Sequence, residues 1–232
     1  MNERVQNVSP YGYGGGAVSA EERNKVLRNT YWLLALSMIP TVLGAWVGLA
    51  TGITRGLSGG IGLIVFLGGA FGFMYAIQKT KDSAAGVGVL LAFTFFMGLM
   101  LSRMLAVILG MSNGTSIVMT AFGGTAAVFF VMATLSSVIK RDLSGMGKWL
   151  FVGALVIMVG AIVNVFVGST VGMLVISTLA IGVFSLFILY DLKRIIDGGE
   201  TNYITATLGL YLSVFNVFQS LLMILGITSG DD

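Results

Sequence analysis

One long uncharged stretch decides the fold of this chain: residues 149–190 read WLFVGALVIMVGAIVNVFVGSTVGMLVISTLAIGVFSLFILY. These 42 residues lie between Lys148 and Asp191 and contain no charged side chain. A helix that crosses a bilayer needs about 20 mostly apolar residues, so the stretch is long enough for two crossings. Residues 168–170 (GST) supply the turn between them. Because both runs are continuously apolar, they predict helices and not the alternating strands of a membrane barrel.

The same bunching of charges extends through the whole chain. Its 232 residues are 56% hydrophobic and 10% charged, with a mean hydropathy of +0.95. An ordinary soluble domain carries about 25% charged residues. The composition therefore excludes a soluble enzyme, a disordered chain and a nucleic-acid-binding domain. The uncharged gaps predict an all-α integral membrane protein with seven transmembrane helices, at residues 30–52, 58–78, 84–108, 115–139, 149–167, 171–191 and 203–226.

We divide the chain into three parts. Residues 1–24 begin with a segment rich in Gly, Tyr, Ser and Asn and are expected to form a flexible cytoplasmic tail. Residues 25–228 form the seven-helix membrane domain, and residues 229–232 form a short external tail. The alternating charges of residues 21–29 allow the first helix to extend beyond the membrane. The N-terminal tail is either inert or a handle for a cytoplasmic partner, and both interpretations stay open.

The basic residues predict the orientation of the helices. If the helices alternate in direction, eleven of the 13 Lys and Arg residues fall on one side of the membrane. Cytoplasmic loops carry an excess of Lys and Arg. The other side holds Arg55, and Arg103 lies inside the third helix near that side. We therefore expect a multi-pass inner-membrane protein with a cytoplasmic N-terminus and an external C-terminus.

The composition also limits the chemistry. The chain has no Cys and no His, which excludes disulfides, thiolate metal sites and catalysis by His. No phosphate-binding loop, zinc spacing or pair of catalytic carboxylates occurs. We therefore expect no catalytic residue, no metal site, no cofactor and no enzyme activity.

Two ionisable residues fall within the predicted spans, where a charge is costly. Asp191 ends helix 6. Its carboxyl group either points into the bundle, where it needs a donor or a proton, or lies among lipid headgroups paired with Lys193 or Arg194. Arg103 lies about 29 Å along helix 3 at 1.5 Å per residue, so its long side chain can reach the outer interface. Arg103 and Asp191 are therefore not expected to pair.

The seventh helix carries a stripe of small and polar residues on one face. Lipid would leave such groups without hydrogen-bond partners, so we expect the stripe to face the interior and helix 7 to be central. The stripe serves either for hydrogen bonding between helices or as a hydrated path past Asp191. In the second case the candidate ion-path or proton-sensing residues are Asp191, Ser213 and Asn216. The stripe consists of Gly209, Ser213, Asn216 and Ser220.

Two loops on the basic side are candidate structural or partner-binding segments. Residues 140–148 (KRDLSGMGK) are basic and interrupted by Gly, which suits topology anchoring or partner docking. Residues 197–203 (DGGETNY) form a sharp turn that ends helix 6, and Thr201 or Asn202 can cap helix 7. The candidate residues in these loops are Lys140, Arg141, Asp142, Gly198, Gly199 and Glu200.

Glycine is abundant, at 33 residues, and some of these glycines are spaced so that two helices can approach closely. At this glycine content chance alone produces several such pairs. We interpret them as helix packing and not as a specific dimer motif, and a homo-oligomer stays open. The pairs are Gly44/Gly48, Gly68/Gly72 and Gly168/Gly172.

Several segments together resemble the Bax inhibitor family of seven-helix membrane proteins. The resemblance covers the chain from about Lys25 to Gly226. KVLRNTY (25–31) and LYLS (210–213) are most similar to the bacterial, YccA-like branch, whose members modulate the FtsH protease. The other segments that carry the resemblance are GGTAAVFF (123–130), RDLSGMGKWLFVG (141–153), ILYD (188–191), GGETNYITAT (198–207) and LYLSVFNVFQSLLMILG (210–226).

The resemblance implies six helices around a central seventh, in a bacterial inner membrane. It implies that the partners are FtsH and its HflK–HflC companions, and that degradation of membrane proteins such as SecY is slowed. The alternative is a pH-sensitive calcium or cation leak, which other members perform with two aspartates on helices 6 and 7. The first position is Asp191, but the second is Ser213, which cannot ionise. Arg103 also departs from the family, in which many members have Pro.

Overall fold

The computed structural model describes residues 18–57 and 59–229, which form a bundle of seven helices. All seven are long and apolar enough to cross a membrane, and no strand occurs in the part of the chain described. The expected all-α membrane fold is therefore confirmed. The N-terminal tail up to residue 17 and the last three residues lie outside the described ranges. The helices are α1 (Ala20–Thr51), α2 (Gly59–Thr80), α3 (Ala84–Leu109), α4 (Gly114–Val138), α5 (Met146–Val167), α6 (Thr170–Ile196) and α7 (Tyr203–Ser229).

Helix α1 begins at Ala20, before both the predicted start of the first helix at residue 30 and the start of the membrane domain at residue 25. Ser19 caps it, because its Oγ accepts a hydrogen bond from the Glu22 backbone N–H at 3.1 Å. The Glu22 carboxylate in turn accepts a hydrogen bond from the Ser19 N–H at 3.1 Å. This reciprocal capping box fixes the first turn. Residues 20–24 are therefore helical, and α1 extends over residues 21–29 as the charge pattern allows.

Helix α6 extends beyond Asp191, which the sequence places at its end. The helix continues to Ile196, so Asp191 lies more than one turn before the end. Lys193 and Arg194 occupy the last turn, where cations are favoured by the partial negative charge of the helix C-terminus. The loss of hydropathy after Tyr190 therefore does not mark the end of the helix.

Helix α7 is the centre of the bundle. It packs against α1, α2, α3, α4 and α6, and buried residues occur along it from Ile204 to Gly226. Within the described ranges α5 does not contact α7 and is held instead against α6 and α2. Helix α7 is therefore central, as expected, but five of the six other helices surround it, and α5 is an outer member.

The most extensive contact between two helices joins α1 to α3. A methyl group added at Gly44 would overlap the Phe95 carbonyl oxygen, and one added at Gly98 would overlap the Thr41 carbonyl group. Gly48 lies against Ser102 in the same way. These glycines let the two backbones touch, as small residues do at membrane helix interfaces.

In the other two pairs, Gly172 of α6 is a packing position, because a methyl group there would lie 2.6 Å from Asn164 Oδ1 of α5. The other three glycines serve differently, which corrects their interpretation as packing residues. A methyl group at Gly68 or Gly72 would meet nothing within 4 Å. Gly168 has a φ of 67° and ends α5 in the left-handed conformation, which favours glycine. Sequence spacing does not distinguish these cases, because it does not show which face of a helix meets a neighbour.

Candidate functional site

The candidate site is built around Asp191, whose carboxyl group faces α7. A methyl group added at Gly209 would lie 3.0 Å from Asp191 Oδ2. Glycine at this position therefore lets the carboxyl group lie directly against the α7 backbone. In the part of the chain described, the Asp191 side chain has neither a hydrogen bond nor an ion pair.

The two cations with which Asp191 would pair in the headgroup interpretation are engaged elsewhere. Lys193 Nζ lies 2.7 Å from Oδ1 of Asp197, the residue that directly follows α6. Arg194 Nη2 lies 3.4 Å from Glu200 Oε2. Of the two interpretations of Asp191, the headgroup pairing is therefore absent from the structure, and the carboxyl group faces the bundle.

A cavity of about 200 Å³ opens beside this carboxyl group. Asp191 and Arg194 of α6 and Glu200 of the following loop form its polar side, and α7 forms the opposite wall. The Oγ1 atom of Thr205 is buried and has no hydrogen-bond partner among the described residues. A water molecule takes up about 30 Å³ in the liquid, so this space can hold several waters. Water can therefore supply the partners that the protein does not. The lining residues on α7 are Thr205, Ala206, Leu208, Gly209 and Leu212.

Ser213 and Asn216 use their side chains within α7. Ser213 Oγ donates to the Gly209 carbonyl oxygen at 3.0 Å, and Asn216 Nδ2 donates to the Leu212 carbonyl oxygen at 2.8 Å. Neither residue lines the cavity. Of the three candidate ion-path or proton-sensing residues, the structure places only Asp191 at the cavity, and the role of all three stays a prediction.

The candidate loop residues Gly198, Gly199 and Glu200 close the end of α6. Gly198 has a φ of 81°, a left-handed conformation that favours glycine. The Gly199 N–H then donates to the Arg194 carbonyl oxygen at 2.8 Å, which satisfies an acceptor at the helix end. Glu200 Oε1 accepts hydrogen bonds from the N–H groups of Thr201 and Asn202, each at 3.0 Å.

Of the two candidate caps for α7, Asn202 is the one used. Its Oδ1 accepts hydrogen bonds from the N–H groups of Ile204 and Thr205 at 2.9 and 3.1 Å. Its Nδ2 donates to the Lys81 carbonyl oxygen at 3.0 Å and to Asp82 Oδ1 at 2.9 Å. Asn202 therefore joins the start of α7 to the turn between α2 and α3. The capping role was visible in the sequence, but the second role depends on residues 120 positions away and left no local signal.

The start of α1 lies on the same loop, a contact that the sequence reasoning missed. Arg23 Nη1 donates to the Ile196 carbonyl oxygen, at the end of α6, at 3.1 Å. A methyl group at Gly198 would lie 3.2 Å from Arg23 Cδ and 3.3 Å from Val18 Cβ. The first turn of α1, the end of α6 and the start of α7 thus form one cluster at the basic end of the bundle.

The other candidate loop, residues 140–148, is closed by Asp142. The backbone N–H of Ser144 donates to Asp142 Oδ1 at 2.8 Å, and the Ser144 hydroxyl donates to Oδ2 at 2.9 Å. The hydrogen bond from the backbone N–H, followed by that from the hydroxyl, lowers the pKa of Asp142 below its ordinary value. Lys140 and Arg141 are exposed and make no ion pair within the described ranges.

Arg103 lies at the opposite end of the bundle from this cluster. Its guanidinium group is exposed and donates to the carbonyl oxygen of Leu57, in the loop between α1 and α2. It makes no contact with Asp191, in agreement with the expectation from the sequence. Among residues 18–57 and 59–229, no group of three or more acidic side chains could hold a metal ion.

Comparison with known proteins places this architecture in a family. The profile of the family described as "Inhibitor of apoptosis-promoting Bax1" matches residues 23–230. A membrane protein of Vibrio cholerae is 40% identical over 212 residues, which cover 91% of this chain and 93% of the relative. The Modulator of FtsH protease YccA from Escherichia coli is 39% identical over 208 residues, which cover 90% of this chain and 92% of the relative. A second Escherichia coli relative with the same identity and coverage is named Inner membrane protein YccA. With seven membrane-spanning helices and matches over nearly its whole length, the chain belongs to the Bax inhibitor family, in the branch that contains YccA.

Proposed function

We propose that this protein binds an FtsH-type membrane protease, together with HflK–HflC companions, and slows its degradation of membrane proteins such as SecY. The observation that carries the proposal is the similarity to the Escherichia coli Modulator of FtsH protease, which extends over 90% of this chain. We place the protein in a bacterial inner membrane with its N-terminus in the cytoplasm and its C-terminus outside. In that orientation the basic end of the bundle faces the cytoplasm.

The packing of the bundle suggests how such a protein can occupy a protease. A membrane protease must pull helices out of the bilayer. At Gly44 and Gly98 the backbones of α1 and α3 are packed so closely that not even a methyl group fits between them. Extraction therefore has to break this close packing between the backbones of α1 and α3, which we call the α1–α3 seam. We propose that the protease engages the chain before Ser19 and then stalls on this seam. Other substrates are spared while the protease is held.

The first test is affinity capture of the full chain from native membranes in mild detergent, with partners identified by mass spectrometry. We expect FtsH and HflK–HflC in stoichiometric amounts. The second test uses purified FtsH in liposomes with a radiolabelled membrane substrate. Added protein should slow loss of the substrate, and deletion of residues 2–17, which leaves the Ser19 cap of α1 in place, should lengthen the half-life of the protein itself. The proposal would be refuted if the chain were recovered without FtsH and the substrate were degraded at the same rate with and without added protein.

A second candidate function is a cation leak through the cavity beside Asp191. The observation that favours it is a carboxyl group without a protein partner, facing α7 beside a cavity of about 200 Å³. Ser213 stands where the leak-forming relatives have a second aspartate, so Asp191 has no aspartate on α7 with which to share a proton. A leak in this protein would therefore depend on Asp191 without a second aspartate on α7.

Calcium flux into liposomes that contain the purified protein tests this candidate. Asp191→Asn should abolish the flux, because it removes the charge without changing the size of the side chain. Asp197→Asn is the matched control, since Asp197 directly follows α6, does not line the cavity and pairs with Lys193. Flux that is absent from the unmodified protein, or equal in the Asp191→Asn variant, excludes the leak.

A further inference from the structure

A groove on the surface of α1 is outside the site described above. It has a volume of about 410 Å³ and is open to the surroundings of the bundle. Its lining residues recur every three or four positions, so they share one face of the helix. They combine an amide, a guanidinium group, a leucine and two large aromatic rings: Asn24, Leu27, Arg28, Tyr31 and Trp32.

This groove lies where the chain enters the membrane. Arg28 is the last charged residue before Arg55, so the apolar part of α1 begins directly after it. Trp32, one turn further along, is 73% exposed. A basic residue followed by aromatic rings, as in this segment, is typical of a helix that enters the bilayer at the headgroup level. One end of the groove is therefore at the depth of lipid phosphates, and the other end is at the depth of acyl chains.

Arg28 has no partner in the part of the protein described. Its side chain is exposed and takes part in no ion pair or hydrogen bond there. None of the five lining residues is acidic. The nearest acidic position on this face is Glu21, which is about 10 Å from Arg28 along the helix at 1.5 Å per residue. The groove thus offers an uncompensated positive charge at the headgroup level.

The aromatic side of the groove is not covered by the backbone of a neighbouring helix. The backbones of α1 and α4 do not approach each other. The rings of Tyr31, at the groove, and Phe129 of α4 pack edge to face, with centroids 6.2 Å apart. Phe130, next along α4, is 69% exposed. Aromatic surface that suits an acyl chain therefore continues from the groove to the neighbouring residues of α4.

We infer that this groove binds an anionic phospholipid, with its phosphate at Arg28 and Asn24 and an acyl chain along Tyr31 and Trp32. The guanidinium group matches the geometry of a phosphate and can donate two parallel hydrogen bonds to it. Asn24, one turn above Arg28, can donate a further hydrogen bond to the headgroup. The positive charge of Arg28 selects an anionic headgroup over a zwitterionic one. The rings of Tyr31 and Trp32 pack against the acyl chain of the lipid.

Quenching of Trp32 fluorescence by brominated lipids tests the inference. The chain has three Trp residues, and Trp46→Phe with Trp149→Phe leaves Trp32 as the reporter. This protein is placed in zwitterionic vesicles that contain either phosphatidylglycerol or phosphatidylcholine brominated on the acyl chains, at equal mole fraction. We expect several-fold stronger quenching by the anionic lipid. Inorganic phosphate should not reverse it, whereas reversal would indicate a site for free phosphate and overturn the lipid assignment.

Matched variants separate a specific site from general charge attraction. Arg28→Gln should bring the two lipids to equal quenching, and Arg28→Lys should restore part of the preference, which also guards against a folding defect. Lys25→Gln removes the same charge from an exposed position that does not line the groove. It should leave the preference unchanged. Equal quenching by both lipids in the parent protein, or equal loss of the preference in Arg28→Gln and Lys25→Gln, would overturn the inference.

Discussion

The carboxyl group of Asp191 in α6 occupies the space that a side chain at Gly209 in α7 would need. A methyl group at Gly209 would come within 3.0 Å of Asp191 Oδ2, closer than ordinary van der Waals contact. The polar stripe of α7 therefore begins with an open position at which the carboxyl group rests. The residue type at position 209 and the placement of Asp191 are linked, although the two residues belong to different helices.

The first prediction concerns this link. Gly209→Ala should destabilise the protein while Asp191 is present, because the methyl group displaces the carboxyl group. In an Asp191→Ala background the same change should stabilise by up to about 1 kcal/mol, the difference in helix propensity between Gly and Ala. Unfolding midpoints in detergent for the two single variants and the double variant give the coupling energy. We expect about 1 kcal/mol, in the range for contacting residues. Additive effects would show that the two positions do not interact.

The seven helices could be predicted because a bilayer demands about 20 apolar residues per crossing and the charges mark where each crossing ends. The central place of α7 followed from its polar stripe, since such groups are not left facing lipid. The surroundings of Asp191 could not be predicted in this way. Lys193 and Arg194 are its neighbours in sequence, but they pair with Asp197 and Glu200 because α6 continues and the loop folds back.

The cluster at the basic end of the bundle escaped prediction for a related reason. Arg23 bonds to Ile196, which is 173 positions away, and Asn202 bonds to Lys81 and Asp82. Periodicity and capping patterns report on neighbours within one element. Contacts between the ends of different helices depend on how the bundle closes, and a single sequence does not encode that in any local pattern.

The second prediction addresses Arg23. Arg23→Ala removes the donor at the Ile196 carbonyl oxygen and should lower the free energy of unfolding by about 1 kcal/mol, typical of one partly exposed hydrogen bond. Hydrogen exchange of the amides at residues 196–199 should also become faster. Lys25→Ala is the control, since Lys25 is exposed and makes no ion pair among the described residues. Equal exchange in both variants would mean that Arg23 does not fasten α1 to this loop.

The third prediction separates the two roles of Asn202. Asn202→Ala removes the cap of α7 and the link to the α2–α3 turn, so it should cost about 1–2 kcal/mol. Asn202→Asp keeps the capping oxygen but loses the Nδ2 donor and places a second carboxylate beside Asp82. It should therefore retain the cap while faster hydrogen exchange appears at residues 81–83.

Thr201→Ala serves as the control for this pair of variants. The Thr201 side chain is exposed and makes no hydrogen bond in the part of the chain described. Its removal should leave both the unfolding midpoint and the exchange pattern unchanged. If the hydrogen-exchange rates at residues 81–83 were the same in Asn202→Asp and the parent protein, the hydrogen bonds from Asn202 to the α2–α3 turn would not contribute to stability.

The fourth prediction tests the α1–α3 seam on which the proposed stalling of the protease depends. Gly98→Ala should destabilise the bundle by about 1–3 kcal/mol, the usual cost of overpacking, because its methyl group would overlap the Thr41 carbonyl group. Gly88→Ala in the same helix is the matched control, since a methyl group there meets nothing within 4 Å. The gain in helix propensity is alike at both positions. The difference in stability between the two variants therefore measures the cost of overpacking at the α1–α3 contact. The measurement is the unfolding midpoint in detergent, followed by the rate of degradation by purified FtsH. A faster rate for Gly98→Ala alone is expected if unpacking of α1 from α3 limits extraction, whereas equal rates despite a lower midpoint would place the limiting step elsewhere in the bundle.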